Sequence, residues 1–430
     1  MQAMNLRRPW LVVLVLSMGL LACGLSAARA DDKEKTQRQK LLELNGLSTE
    51  ETQLARLRAM IKDRAKAKEE VKLAAKMVKE AKEGDNPFNY NASLILAKAA
   101  HILKMYDVAE KFYEHTVELA TKLNDGMKMV NAYDSLIDLY WDQKRYADLI
   151  DTCEKIVEIK GPKEIEGYYA FALERLVQAK TKQGKIDEAM TITKGIMESA
   201  EGLLYIHFLE LKGWIQHEDG KLKDAIATYN EAIAKLDADK EAKAEIKDKE
   251  KDRVRYILSG LYVDNKEIDK AAKQLETLVK KHPDNPTFKN DLGFIWCDHD
   301  MHLEESEKLI KEALALDKKQ KEKLKEEGKL DEVTENAAYL DSLGWVYYKE
   351  MKYKEALEPL KKASMDEDEG NHLEIWDHLA DCYMALGQKK EAVAAWEKGL
   401  KMEDVSPRDG ERRRKVSEKL KKARLELTKE

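Results

Sequence analysis

The sequence predicts an all-α chain built as a solenoid of helix-turn-helix hairpins. Glycine and proline are scarce, 20 and 7 in 430 residues, while 43% of residues are hydrophobic and 37% charged. That balance excludes turn-rich β sandwiches and Pro/Gly-rich disorder, and it suits helices with a wide solvated surface. Apolar residues recur three and four apart, break, and resume, which is the period of paired amphipathic helices. The pattern of Ala337–Ala363 then returns at Leu373–Gly399, 36 residues later.

In chain order, the first element is a targeting segment over 1–30. Arg7 and Arg8 precede the apolar run Trp10–Ala22, and Ala28-Arg29-Ala30 places small residues around a cut before Asp31. Two alternatives stand beside cleavage: an anchor over the uncharged Pro9–Ala28, and lipidation of Cys23 within Leu20-Leu21-Ala22-Cys23-Gly24. Arg7-Arg8 fits a twin-arginine signal poorly beside Leu6 and Pro9. The expected location is therefore outside the cytoplasm, in the periplasm or cell envelope, with a lipid anchor as the variant. After a cut at Ala30, Cys153, Cys297 and Cys382 remain; three widely spaced thiols make no disulfide framework and no Cys-x-x-Cys zinc pair. Small apolar packing within helices is their expected role.

Residues 31–86 read as an N-terminal helical cap. Residues 87–405 read as about eight helix pairs. Leu343-Gly344, Tyr347, Ala356, Leu360 and Ala363 correspond to Leu379-Ala380, Tyr383, Ala392, Trp396 and Gly399. Earlier units show Leu292-Gly293, Trp296, Ile310 and Ala313; Leu258, Tyr262, Ala271, Leu275 and Pro283; and Gly213, Ala225, Tyr229 and Ala232. Three weaker units carry Leu176 and Ala189; Leu136, Tyr140 and Cys153; and Leu96, Ala109 and Tyr113. The unit starts fall at 90, 130, 170, 206, 252, 286, 337 and 373. Small residues such as Gly344 and Ala356 let two helices cross closely, and Tyr347 and Leu360 fill the space beside them. The runs Asp237–Lys251 and Lys318–Asn336 lengthen two junctions with nearly pure charge, as solvated helix extensions or loops do. Residues 406–430 read as a charged helix capping the C-terminal end.

These residues resemble the tetratricopeptide repeat, a unit of about 34 residues with Trp-x2-Leu-Gly-x2-Tyr, then Ala, an aromatic and a small residue. The resemblance covers about three quarters of the chain. It implies a right-handed superhelix stabilised between neighbouring repeats, and an exported bacterial scaffold that assembles or organises envelope complexes. It also implies that the first helix of each pair lines a concave groove. The family's groove positions, carried onto this sequence, include twelve acids: Asp134, Asp138, Asp142, Glu174, Glu210, Glu218, Asp264, Asp298, Asp341, Glu374, Asp377 and Asp381. Only Lys98, Lys182, Arg253 and Lys349 are basic there, and Trp141, Trp214, Tyr256, Phe294, Trp345 and Tyr348 share the face. Aromatics beside carboxylates suit an extended peptide that is basic or neutral. A clamp for an acidic peptide tail would need the opposite sign.

Net charge is −6, and −9 once Arg7, Arg8 and Arg29 are removed with the first thirty residues. No basic block interleaved with aromatics is present, so nucleic acid is not an expected partner. Membrane contact is expected only through the signal segment or a lipid on Cys23. No phosphate-loop, His-Glu-x-x-His or Gly-x-Ser-x-Gly motif occurs. Gly184-Lys185 and Gly220-Lys221 fall in turns between paired helices, where glycine ends the first helix. Cys297-Asp298-His299-Asp300-Met301-His302 groups four ligand types without a second pair at metal spacing nearby, and His372, Glu374, Asp377 and His378 read as a polar helix face. The expectation is a non-catalytic protein-binding scaffold without metal or cofactor. A metal-dependent enzyme using His299, or a small-ligand or glycan receptor with a closed aromatic pocket, are the alternatives.

Overall fold

The computed structural model describes residues 33–82, 86–159, 166–330, 332–366, 370, 372–402 and 407–428; the targeting segment and Cys23 lie outside them. Every regular element among the described residues is helical. A helix over 33–42 (α1) and a short 3-10 turn at Glu43–Gly46 lead into α2 (Glu50–Ile61) and α3 (Arg64–Glu80). Pairs follow as α4 (Tyr90–Ile102) with α5 (Tyr106–Lys122), α6 (Gly126–Asp142) with α7 (Tyr146–Glu158), and α8 (Glu166–Lys182) with α9 (Ile186–Ser199). The chain clusters into two compact units, Met1–Glu198 and Ser199–Glu430. The second contains α10 (Gly202–Glu218) with α11 (Leu222–Ala238), α12 (Ala244–Asp264) with α13 (Ile268–Lys281), and α14 (Pro286–Asp298) with α15 (Leu303–Glu326). Then come α16 (Ala337–Lys349) with α17 (Tyr353–Met365), α18 (Leu373–Ala385) with α19 (Lys389–Gly399), and α20 (Pro407–Leu427).

Local chemistry sets the helix ends. Asn89, Asp125, Asn285 and Asn336 each accept a hydrogen bond from a backbone N–H three residues on, capping α4, α6, α14 and α16. Each of the eight hairpin turns passes through a residue of positive φ, namely Lys104, Lys144, Gly184, Gly220, Lys266, Asp300, Met351 and Gly387, and the turn at Asp300 adds a second at His302. The next N–H in these turns reaches back to the carbonyl five residues earlier, as Lys352 N does to Tyr347 O at 2.8 Å. This closes the first helix and launches the second. Gly184 and Gly220 therefore serve turn geometry.

Packing within the hairpins needs small residues. A Cβ on Gly344 would stand 2.4 Å from Leu360 Cγ, and one on Gly213 would stand 2.8 Å from the Tyr229 ring. In the first unit a continuous apolar core runs from Leu41 through Ala179. At the far end of the second unit, Val416, Leu420 and Ala423 of α20 join the core of Trp376, Leu379, Ala392 and Trp396. Part of each charged insertion is helical: 244–251 opens α12 and 318–326 closes α15. Lys251 pairs with Asp237 at 3.0 Å and Lys321 with Asp317 at 2.8 Å.

Candidate binding groove

Within each unit first helices of successive pairs lie side by side, α4 with α6 and α6 with α8, and again α14 with α16 and α16 with α18, while the lone α20 lies beside α18. This places groove positions of neighbouring repeats in reach of one another. In the first unit Asp142 meets His101 at 3.0 Å and Asp138 meets Arg175 at 3.3 Å. The Arg175 guanidinium also lies 5.3 Å from the Trp141 ring. Asp134, one turn before Asp138 on α6, has one buried carboxylate oxygen lacking a hydrogen-bond partner. Burial, and then the charge of Asp138, pushes its carboxyl up.

The second unit repeats the arrangement more tightly. Glu210 on α10 is 4% exposed and pairs with Arg253 on α12 at 2.6 Å. Burial pushes its carboxyl up to about 7, against the pull of Arg253. Tyr256 on α12 donates to Asp291 on α14 at 2.7 Å. Trp345 Nε1 on α16 donates to Asp298 Oδ1 on α14 at 3.0 Å. Asp341 on α16 holds the ring of His378 on α18, Nδ1 lying 3.0 Å from each carboxylate oxygen. His378 stacks on Trp345 at 4.0 Å, and Trp345 stacks on Tyr348 at 4.8 Å. Burial opposes a charge on His378, yet the Asp341 carboxylate outweighs it and holds the imidazole above its usual value. Asp377 accepts from Trp396 Nε1 at 2.9 Å and from Lys419 Nζ at 2.8 Å, and Lys419 reaches Asp381 at 2.6 Å.

These contacts correct the sequence reading of the groove acids. Asp138, Glu210, Asp341, Asp377 and Asp381 each bridge adjacent elements of the stack as a rung, Asp138 from an exposed position and Asp377 also in the wall of a cavity. The reason is energetic: Asp341 and Asp377 are each 5% exposed, and a buried carboxylate needs a donor or cation at hand. Trp214 is half-buried on α10. Tyr256 and Phe294 do face a cavity of about 970 Å³ in the second unit, with Asp264, Asp291, Asp298 and Glu374 in its walls. Arg412, Lys415 and Lys419 of α20 complete the lining. Sequence reasoning missed Asp291, Arg412 and Lys419; the spacing of cations along α20 was the available signal.

The metal-like run at 297–302 disperses. Cys297 is buried, Asp298 serves Trp345, His299 turns to the Ile295 carbonyl at 3.0 Å, Asp300 pairs with Lys349 at 2.8 Å, and His302 lies on Trp296. Among the described residues no group of three His, Cys, Asp or Glu side chains is placed to hold a metal ion.

The family model described as tetratricopeptide repeat matches residues 373–404, covering α18 and α19. The match thus falls on one pair of the helical hairpins that recur along both units. No curated protein matches it. Among solved structures, a tetratricopeptide repeat protein from Parabacteroides merdae is similar at 15% identity and TM-score 0.44, over 68% of this chain and 98% of that one. The thermophilic TPR protein TTC0263 of Thermus thermophilus follows at 18% identity and TM-score 0.37, over 51% and 99%. The Cut9–Hcn1 hetero-tetramer of the APC/C matches at 13% identity and TM-score 0.42, over 83% and 80%.

Proposed function

We infer that this chain is a protein-interaction scaffold. We propose that the second unit binds a polypeptide, extended and basic or neutral, in the trough bordered by α12, α14, α18 and α20, and that it does so without chemistry of its own. The observation that carries the reading is the cavity of about 970 Å³ in which Tyr256 and Phe294 stand beside Asp264, Asp291 and Asp298. Rigid rings supply contact area at small entropic cost, and neighbouring carboxylates select the sign of the ligand. The apolar start and small-residue cut site over 1–30 extend the proposal to an exported protein of the periplasm or cell envelope, serving the assembly of complexes there.

Fluorescence anisotropy with an eight-residue lysine-rich peptide tests the trough. Tight binding that weakens at least tenfold in Tyr256→Ala and in Asp264→Lys supports it. Equal binding of a glutamate-rich peptide would overturn it. Mass spectrometry of the protein's N-terminus from envelope fractions tests export, with Asp31 the expected first residue and a lipid on Cys23 the variant form. Intact Met1 in the cytoplasmic fraction rejects export.

A further inference from the structure

The end of the second unit carries its own cationic ligand. α20 has nine basic residues against four acidic ones, in a chain whose net charge is −6. Its buried residues Val416, Leu420 and Ala423 fall at i, i+4 and i+7, the spacing of a helix laid into a groove. On either side of these anchors, Arg412 reaches Glu374, and Lys419 reaches Asp377 at 2.8 Å and Asp381 at 2.6 Å. Arg413 caps the far end of α19 through the carbonyls of Leu400 and Met402, both at 2.7 Å. The face below α20 is thus an apolar strip edged with carboxylates. Three side chains anchor it apolarly; the other contacts are ion pairs and hydrogen bonds reached by side chains partly open to water, which solvent and salt weaken.

We propose that the α18–α19 face is a docking site for a basic amphipathic helix of a partner protein, and that α20 is its built-in occupant, which such a partner replaces. The inference rests on the reading above that this unit takes a basic polypeptide, and it narrows the partner to a helix with apolar residues at i, i+4 and i+7 flanked by cations four residues before and three after the first of them. Charge complementarity selects this occupant. If α20 leaves, Glu374, Asp377 and Asp381 lose their cations while Trp396 and Leu379 lose their cover, and only a ligand repeating both features restores the two together.

The test uses the full chain and a labelled peptide of residues 407–428 in solution. Arg412→Glu with Lys419→Glu weakens the internal helix, so this variant binds the peptide at least tenfold more tightly than the wild-type chain does. A peptide carrying Lys419→Asp loses that binding, and a receptor with Asp381→Lys recovers it. Hydrogen exchange across α18 and α19 verifies that the receptor remains folded, and the milder Lys419→Gln receptor gives an intermediate gain. Failure of the peptide to bind any folded receptor, or equal binding to wild type and variant, overturns the inference. Where that happens while the extended lysine-rich peptide still binds, the trough reading stands and only the helix-exchange proposal falls. Where neither probe binds, both fall.

Discussion

Gly344→Ala probes how closely the hairpins cross, because the added methyl has nowhere to go. Its Cβ would lie 2.4 Å from Leu360 Cγ, 2.8 Å from Leu360 Cδ2 and 3.2 Å from the Ala356 carbonyl oxygen. Comfortable carbon contacts begin near about 3.5 Å, so α16 and α17 must part or Leu360 must leave its rotamer. Leu360 is fully buried, so it has no open side to move into. Overpacking of this kind costs about 1–3 kcal/mol. Replacing a helical glycine by alanine returns about 0.5–1 kcal/mol, leaving a net loss of roughly 1–2 kcal/mol. Gly260 in α12 is the control, since nothing lies within 4 Å of a Cβ there, and Gly260→Ala gains the helical increment alone. Leu360→Ala by itself costs about 2–5 kcal/mol. In the double variant the new methyl occupies part of the vacated space, so the double loss is smaller than the sum of the single losses. Repeat stacks need not unfold in one step, so amide hydrogen exchange within α16 and α17 is the appropriate assay. If Gly344→Ala matches Gly260→Ala, or the two substitutions at 344 and 360 add without coupling, close crossing does not hold this hairpin.

Other substitutions address turns, rungs and charge. Met351 holds φ +59° in the turn of that hairpin, so Met351→Gly relieves left-handed strain of about 1–2 kcal/mol and gives back somewhat less through a freer unfolded chain. A rise in melting temperature is expected, and a fall would show that the side chain itself holds the turn. Trp345→Phe keeps a ring on His378 but strips the donor from Asp298, costing about 1–3 kcal/mol by denaturant unfolding; no loss would mean the indole N–H contributes nothing to joining α14 and α16. Glu210 titrates at about 7 in the fold, above its unfolded value, so its contribution is complete below about pH 4.5 and is lost as pH rises through 7. At about 1.4 kcal/mol per unit the loss is roughly 3 kcal/mol at most. Glu210→Gln flattens this slope in urea titrations run at successive pH values, and an unchanged slope would place the pH dependence elsewhere.

The helix pairs were legible because their packing leaves a record in the sequence. Gly344, Ala356 and Ala363 must be small where α16 and α17 touch, and the same requirement recurs 36 residues later at Ala380, Ala392 and Gly399. Starts at 90, 286, 337 and 373 coincide with the observed first helices, but 130, 170 and 206 lie one turn inside α6, α8 and α10. The motif registers the packed middle of a helix, while its first turn is set by caps such as Asp125, a signal present in Asn124-Asp125-Gly126 and overlooked. The start at 252 lies further inside α12, because the charged stretch from Ala244 carries no apolar period. Groove residues were legible as a face but not as pairs. Asp138 and Arg175 stand 37 residues apart, as do Asp341 and His378, so each rung spans about one repeat and makes sense only when both helices are in place.

Stacking and the proposed binding therefore draw on neighbouring residues, and this governs how any variant is to be interpreted. Asp377 serves Trp396 of α19 and Lys419 of α20 at once, so Asp377→Ala removes a buried acceptor shared by two helices, leaving the Trp396 indole N–H unpaired and Lys419 with Asp381. A loss of partner binding in that variant would report a loosened end of the unit before it reported a missing ligand contact. The same holds for Asp341, whose removal leaves His378 stacked on Trp345 with its hydrogen-bond acceptor lost and the Glu374 carboxylate, 4.0 Å from Nε2, to balance its charge. Tyr256 behaves differently: the residue is 39% exposed and lines the cavity while its hydroxyl holds Asp291. Tyr256→Phe tests the rung with the ring kept, and Tyr256→Ala tests the ring as well. Binding that survives the first and fails in the second separates the surface offered to a partner from the bonds that hold the repeats together.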